Sequence, residues 1–592
     1  MNFSRIGGEV DLYNCCKGVF LGALITLQSL SVNAVVEGLS PEAATGRAER
    51  PLVYSNELMV VSAHPLATKA GYRVLMSGGS AIDAAVAVQA VLTLVEPQSS
   101  GIGGGAFLLH WDQGRRQLQA YDGRETAPAE ASSELFIGSD GKPMAWRTAL
   151  VGGRSVGTPG VLRMLEMAQS QHGQLAWSTL FDDGIQLSRD GFVVTPRLAE
   201  LVAKGVNPGL DRYAEARDYF FPAGKSVKAG SLLRNEPLAK TFEAIAKQGA
   251  DYFYQGPLAA RISARVKTVT DNPGLLSRED LAQYRALERE PLCRPFLSYR
   301  VCSMPPPTSG GVTLLQILGL LEQLSVEAVP AFGIEGAHLF TQASRLAYAD
   351  RARYLADADF VEVPIAGLLD KKYLRQRARL IDSDRDMGKA EAGMMSALVR
   401  SDDRSPELPS TSHFVIVDGK GNAVSMTSSI EMAFGSTLMV DGFLLNNQLT
   451  DFSFVAEQDG RPVANRVEAG KRPRSSMTPV MVFDKQGRLR LLLGSPGGSR
   501  IINYVAKAVL GVLAWDMDVQ QAISQANISN RNGVTSLEAG TSAEALKSQL
   551  QAKGHEIRVR DLNSGLHGIW ITEDGRLEGG VDPRREGLAK GK

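Results

Sequence analysis

The chain contains only four cysteines, Cys15, Cys16, Cys293 and Cys302, and none stands in a Cys-x-x-Cys or Cys/His spacing suited to zinc or an iron–sulfur cluster. No metal site is expected. It carries no net charge, with 64 basic residues against 64 acidic, so it has no global field to recruit nucleic acid or an anionic membrane surface. It lacks any apolar run of the roughly 20 residues that a bilayer-spanning helix needs. It lacks the Gly-x-Ser-x-Gly turn of the common serine hydrolases, and its seven histidines include no triad partner that spacing would single out. The glycine cluster Gly101 to Gly105 is followed by no Gly-Lys-Ser/Thr, which removes the nucleotide reading and with it any expected cofactor. No internal repeat or low-complexity tract supports a solenoid or scaffold.

What remains reads as a globular chain of two to four units of roughly 150 residues each. Its 44% apolar and 22% charged residues suit a protein that works on small molecules. The apolar segment Val19 to Leu30 is too short to span a bilayer but suits a signal-peptide core, and Val32-Asn33-Ala34 offers small positions for cleavage after Ala34. Residues 1–34 are therefore expected to be removed on export to the periplasm or outside the cell. The mature chain would then have no membrane span and would keep only Cys293 and Cys302. These bracket a stretch of hairpin length, so a disulfide with Cα atoms about 4.4–6.8 Å apart is one expectation. Two inert half-buried thiols are the other.

Along the chain, Ala81 to Val95 reads as a buried helix capped by Ser80, feeding a strand candidate from Ala106 to His110. Asp382 to Pro409 is polar and reads as a surface loop. The pattern then turns to β: His413 to Asp418 and Asn422 to Ser428 form one hairpin candidate, Val480 to Asp484 and Arg488 to Gly494 another. Ile501 to Leu513 is helical. Lys471, Arg472 and Arg474 fit either a solvated turn or a functional cluster. The expected architecture is layered, α/β or α+β.

A hydroxyl nucleophile without a triad can use its own α-amino group as base, provided the chain is cut just before it. Thr411 fits: it follows the polar stretch, opens a strand and lies between Ser410 and Ser412. By local pattern alone such a threonine is an ordinary strand residue. Seven ordered motifs change that weighting. They are Arg124 to Ala129, Met304 to Gly311, Tyr348-Ala349-Asp350-Arg351, Ser410 to Phe414 with Asp418 to Val424, Leu444 to Gln448, Lys471 to Met477, and Gly494 to Arg500. Together they resemble the γ-glutamyltransferase family over nearly the whole mature chain.

The resemblance implies an α+β fold, the four-layer αββα sandwich of N-terminal-nucleophile hydrolases. It implies one precursor cut between Ser410 and Thr411 into a heterodimer of a large subunit, 35–410, and a small catalytic subunit, 411–592. Thr411 matches the nucleophile and Ser429 its supporting hydroxyl, a Ser where the family has Thr; Gly497 and Gly498 match the oxyanion glycines. Arg124, Ser475 and Ser476 match the groups holding the donor's α-carboxylate. Gln448 and Asp451 match the ammonium side, where Glu431 departs from the family's Asn. In this picture the two charges face opposite ends of one small acyl group. The implied substrates are a glutathione-like γ-glutamyl donor and water, an amino acid or a peptide as acceptor. One alternative keeps the nucleophile but takes a glutaryl or cephalosporin acyl group; another is a non-catalytic relative that never matures. Residues 452–469, where the family carries a variable lid, match nothing in particular.

Overall fold

The computed structural model describes Met1 and residues 46–395, 399–405 and 410–592. The expected export signal, with Cys15, Cys16 and the cleavage point after Ala34, lies outside the described residues.

Two seven-stranded antiparallel sheets form the centre. Their strands are β1 Val53–Ser55, β2 Met59–Ser62, β3 Gly105–Asp112, β4 Gln117–Gly123, β5 Leu287–Arg289, β6 Leu292–Phe296, β7 Tyr299–Ser303, β8 Ser412–Val417, β9 Ala423–Ser429, β10 Val480–Phe483, β11 Leu489–Gly494, β12 His567–Ile571, β13 Leu577–Val581 and β14 Leu588–Gly591. One sheet runs β14-β2-β8-β9-β3-β4-β5, the other β1-β13-β12-β11-β10-β7-β6. Strands β2, β8 and β9 lie against β11, β12 and β13 across the gap between sheets. Helices α1 Pro65–Met76, α2 Ala81–Val95 and α3 Val161–His172 cover the first sheet; α4 Gly310–Glu322, α6 Ile501–Leu513 and α7 Val519–Ser524 cover the second, with α5 Ile334–Tyr354 packed outside α4. This is the expected four-layer αββα sandwich.

The layering explains the sequence pattern. Strands β8 and β11 are buried at every position, because one face meets the opposite sheet and the other meets helices, so they read as near-continuous apolar runs rather than alternating ones. Helix α2 is buried all round, which its alanines and valines permit and which a half-polar helix would not survive. Ser80 and Asp83 close its capping box, with Asp83 N donating to Ser80 Oγ at 3.1 Å and Ser80 N to Asp83 Oδ2 at 2.9 Å.

Two expectations change. The polar stretch from Asp382 onward is not simply a surface loop. Asp403 is buried, with Oδ2 3.1 Å from Arg474 Nη2 and 2.9 Å from Asn465 Nδ2, and Asp386 is held by Arg345 at 2.9 Å. These two acidic residues are drawn inward by arginines that need a counter-charge, while Asp382, Asp384 and Glu391 stay exposed as a surface loop would have them. For the same reason Lys471, Arg472 and Arg474 are buried, not a solvated turn. Lys471 Nζ donates to the Ala464 carbonyl at 2.8 Å and to Glu468 at 2.7 Å.

Cys293 and Cys302 are joined by a disulfide. They face each other across the β6–β7 pair, which puts their Cα atoms 4.1 Å apart, just below the expected window.

Candidate active site

Thr411 stands one residue before β8, and Ser429 ends β9. The two strands pair with Ser412 opposite Ser428, so the next rung brings Thr411 and Ser429 together, with Thr411 Oγ1 3.3 Å from Ser429 Oγ. Both hydroxyls point at one atom. The Ser410 carbonyl oxygen accepts from Thr411 Oγ1 and from Ser429 Oγ at 2.7 Å. Ser429 Oγ in turn accepts from Glu431 N at 2.9 Å, and Ser410 Oγ donates to the Gln98 carbonyl. Ser410 and Thr411 are both buried.

The glycine cluster that resembled a phosphate loop has a packing role. A Cβ on Gly104 would overlap the Ser429 carbonyl, and one on Gly103 the Leu444 carbonyl; these glycines let the end of β9 and the Leu444–Gln448 segment close on each other.

Beyond β11 the chain turns through Gly497 and Gly498, with φ of 137° and 58°, a region that side chains disfavour. A Cβ on Gly497 would lie 2.7 Å from the Tyr504 ring. The turn ends at the start of α6, and Gly498 and Ile501 both line the cavity described below, so the positive end of the helix lies beside it. Gly494, just upstream, is required because the His413 ring lies where its Cβ would be. Burial holds His413 and His567 well below the usual histidine range, so the two stacked rings are neutral spacers between the sheets.

Arg124 is 1% exposed and donates from Nε to the Pro473 carbonyl (3.0 Å) and from Nη2 to the Arg474 carbonyl (3.0 Å) and Asp451 Oδ2 (2.6 Å). Gln448 Nε2 donates to the same Asp451 oxygen at 2.8 Å; one 3₁₀ turn, Gln448–Asp451, sets both side chains. The two charges are therefore neighbours, not at opposite ends as expected. That suits an α-amino acid, whose carboxylate and ammonium share one carbon. Glu125, behind Arg124 at 3.5 Å, has its carboxyl pushed up to about 8 by burial, with Arg124 opposing. Glu431 has φ of 74°, which a β-carboxamide or glycine tolerates better; its Oε2 accepts from Met432 N.

Ser475 and Ser476 are placed by the Met304 to Gly311 segment. Ser309 donates to the Ser475 carbonyl from N (2.8 Å) and Oγ (2.7 Å), and Thr308 Oγ1 donates to the Met477 carbonyl at 2.7 Å. Ser476 Oγ accepts from Arg351 Nη2 at 2.7 Å. Arg351 is one of two residues whose role sequence reasoning missed. The other, Tyr348, donates its hydroxyl to the Ser499 carbonyl. Both lie in the Tyr348 to Arg351 motif, and their i,i+3 spacing on a helix was the available signal. The hairpin Glu457–Gln458/Arg461–Pro462 within 452–469 pairs near Ser401 through Ser401 N to the Pro462 carbonyl at 3.1 Å.

Every residue expected at the site lines one small cavity except Gly497, and Met477 and Ile501 complete the wall. The cavity volume is ≈ 30 Å³, little more than a water occupies, and Ser410 forms part of its wall. Among the described residues no cluster of His, Cys, Asp and Glu is arranged to hold a metal ion.

A four-layer αββα sandwich with a hydroxyl residue at the start of a central strand, facing the carbonyl of the residue before it, defines an N-terminal-nucleophile hydrolase. Residues 67–591 match the family model for gamma-glutamyltranspeptidase, and the chain belongs to that family. It is 35% identical to the glutathione hydrolase proenzyme of Bacillus subtilis over 98% of both chains, and 33% identical to that of Escherichia coli over 94% of this chain and 97% of the other. Among solved structures, the cephalosporin acylase of Bacillus halodurans superposes with a TM-score of 0.81 at 25% identity, covering 94% of this chain and 99% of that one.

Proposed function

We propose that the chain is a precursor that cuts itself before Thr411 and then, as a heterodimer of 35–410 and 411–592, transfers the γ-glutamyl group of glutathione-like donors to water, an amino acid or a peptide. The observation that carries this reading is the Ser410 carbonyl, engaged by both the Thr411 and the Ser429 hydroxyls. In maturation the Thr411 oxygen attacks the Ser410 carbonyl carbon, the peptide C–N bond breaks, and the acyl group moves to oxygen as an ester. Water then hydrolyses that ester, leaving a Ser410 carboxylate and a free Thr411 amine. Ser429 steadies the carbonyl oxygen as charge builds on it. Until this happens the cavity is too small for a glutamyl group.

In turnover the freed amine takes the Thr411 hydroxyl proton as the oxygen attacks the donor's γ-carbonyl. The oxyanion faces the backbone N–H groups of Gly497 and Gly498. The proton passes to the departing amine, leaving a γ-glutamyl ester on Thr411, and an acceptor reverses these steps. Arg124, Ser475 and Ser476 hold the α-carboxylate; Asp451, Gln448 and Glu431 hold the ammonium. Export, through a signal in residues 1–34, belongs to the same proposal; among the described residues no helix is long and apolar enough to cross a membrane.

The likeness to a cephalosporin acylase favours a second reading in which the same nucleophile takes a glutaryl-type acyl group. One experiment tests both. Purified protein is resolved under denaturing conditions, the smaller band is sequenced from its N-terminus, and γ-glutamyl and glutaryl anilides are assayed side by side. A chain starting at Thr411 with preference for the γ-glutamyl anilide is expected. A chain that stays whole and inactive would sink the proposal, and preference for the glutaryl anilide would leave only its nucleophile standing.

A further inference from the structure

We propose that Arg351 and Tyr348, one turn apart on α5, are positioning residues that fix the carboxylate-binding hydroxyl of Ser476 and the Gly497–Ser499 turn relative to each other; this rests on the γ-glutamyl reading above. Helix α5 belongs to the large subunit of the proposed heterodimer, while Ser476 and Ser499 belong to the small one. The helix reaches the site at two points. Arg351 donates from Nη2 to Ser476 Oγ at 2.7 Å and from Nε to Ser309 Oγ at 2.8 Å. Its guanidinium thus ties the segment that buttresses Ser475 to the hydroxyl of Ser476. Tyr348 donates to the Ser499 carbonyl, one residue past the two glycines.

Each residue braces the other. The Arg351 guanidinium lies 5.6 Å from the centre of the Tyr348 ring, a cation–π contact between buried partners. Both side chains are nearly sealed from water, at 5% and 4% exposure, so neither hydrogen bond competes with bulk solvent. The geometry divides their effects. By donating to it, Arg351 fixes the position of the Ser476 oxygen, one of the groups proposed to hold the substrate carboxylate, so Arg351 acts on ground-state binding. Tyr348 holds the backbone that carries the oxyanion donors, whose charge partner exists only in the transition state. Helical spacing makes the pair one rigid ruler between the two ends of the acyl group: its α-carboxylate and its reacting carbonyl. A displacement of about 1 Å at either end costs reactivity steeply.

The test uses the full-length protein, purified and processed, with Arg351→Lys and Tyr348→Phe. Lysine keeps the charge but cannot bridge two hydroxyls with a planar fork; phenylalanine keeps the ring beneath Arg351 and removes only the donor. For γ-glutamyl anilide, Arg351→Lys should raise KM at least about tenfold with kcat within about threefold, the loss of a hydrogen bond to a charged group. Tyr348→Phe should lower kcat about tenfold with KM within about twofold. Two further readouts separate positioning from general damage. With 4-aminobutanoyl anilide, which lacks the α-carboxylate, Arg351→Lys should have no additional effect on KM. Free guanidinium added to Arg351→Ala should recover KM for the γ-glutamyl anilide.

Equal losses in kcat and KM for both variants, or the same KM change with and without the α-carboxylate, would overturn the inference. So would a variant that keeps the wild-type Tm but stays uncleaved, because the residue would then serve processing rather than substrate. If Arg351→Lys fails to fold, the Tyr348→Phe split between kcat and KM decides alone. A wild-type enzyme that ignores γ-glutamyl anilide would instead overturn the function proposed above, and is distinguished by being read before any variant is made.

Discussion

Asp451→Asn probes the charge pair at the heart of the site. Asp451 Oδ2 lies 2.6 Å from Arg124 Nη2 and accepts from Gln448 at 2.8 Å, with Arg124 buried to 1% exposure. A γ-glutamyl donor carries a carboxylate and an ammonium on one carbon, so it can exchange partners with this pair one for one. Its carboxylate takes the guanidinium, its ammonium takes Asp451, and no charge is left alone. A glutaryl donor brings only the carboxylate, and binding it through Arg124 draws that cation away from buried Asp451 and supplies no other.

The asparagine variant keeps the shape and an accepting oxygen but removes the charge. The ammonium then loses a charge-assisted hydrogen bond, about 1.5–3 kcal/mol, and kcat/KM for the γ-glutamyl anilide should fall by about 10- to 150-fold, one factor of ten being about 1.4 kcal/mol. The glutaryl reaction should not fall and should rise, because its bound state no longer draws Arg124 away from a buried carboxylate. Initial rates on the two anilides measure this directly. Arg124 remains bonded to the Pro473 and Arg474 carbonyls, so the fold should survive, and thermal melting checks that. Equal losses on both substrates would refute the reasoning.

Thr411→Ala should stay a single chain without activity, and its cleavage at the same bond, seen by electrophoresis, would remove Thr411 from its role. Gly104→Ala forces a methyl group into the Ser429 carbonyl and should abolish maturation; normal two-chain processing would contradict it. Titrating thiols in denatured protein that lacks residues 1–34 should find none before reduction and two after it, since Cys293 and Cys302 are bonded. His64, His110 and His567 are held down to about 3 by burial, so each stays neutral in the fold while the unfolded chain protonates near 6.5. Their cost is absent above pH 6.5 and grows as pH falls towards 3, by up to about 1.4 kcal/mol per pH unit for each ring. Urea unfolding between pH 6.5 and 5, above the main carboxylate range, should show stability falling with pH, and a flat profile would count against it.

Much of the fold was legible because its period is local. Strands β8 to β11 and helices α2 and α6 were each expected to within a residue or two, since strands buried on both faces and a helix buried all round leave long apolar runs. The pairing of two such sheets face to face is not local, and it came only from the resemblance of ordered motifs. The candidate nucleophile, Thr411, came from the same resemblance. Nothing in Ser410-Thr411-Ser412 differs from an ordinary strand start until β9 places Ser429 beside it.

What stayed hidden was burial of charge. A run such as Lys471, Arg472 and Arg474 looks solvated because sequence shows the cost of burying cations and not the carbonyls and carboxylates that offset it. Arg474 is buried with Asp403, 71 positions earlier in the chain, and Arg124 with Asp451, 327 positions later. Such pairs are rarely chosen for stability alone, since apolar replacements often do as well. The Arg124–Asp451 pair instead holds a charge of each sign at a fixed point in the wall of the cavity. Glu431 follows the same logic at a local cost: it sits at φ of 74°, where the family's asparagine would be at ease, and its carboxylate is held by the backbone N–H of Met432. Replacing that amide with an acid adds a second carboxylate to the cavity that Asp451 and Arg124 also line. A carboxylate attracts an ammonium group more strongly than an amide does, and this makes the departure from the family pattern an argument for an ammonium-bearing donor rather than against one.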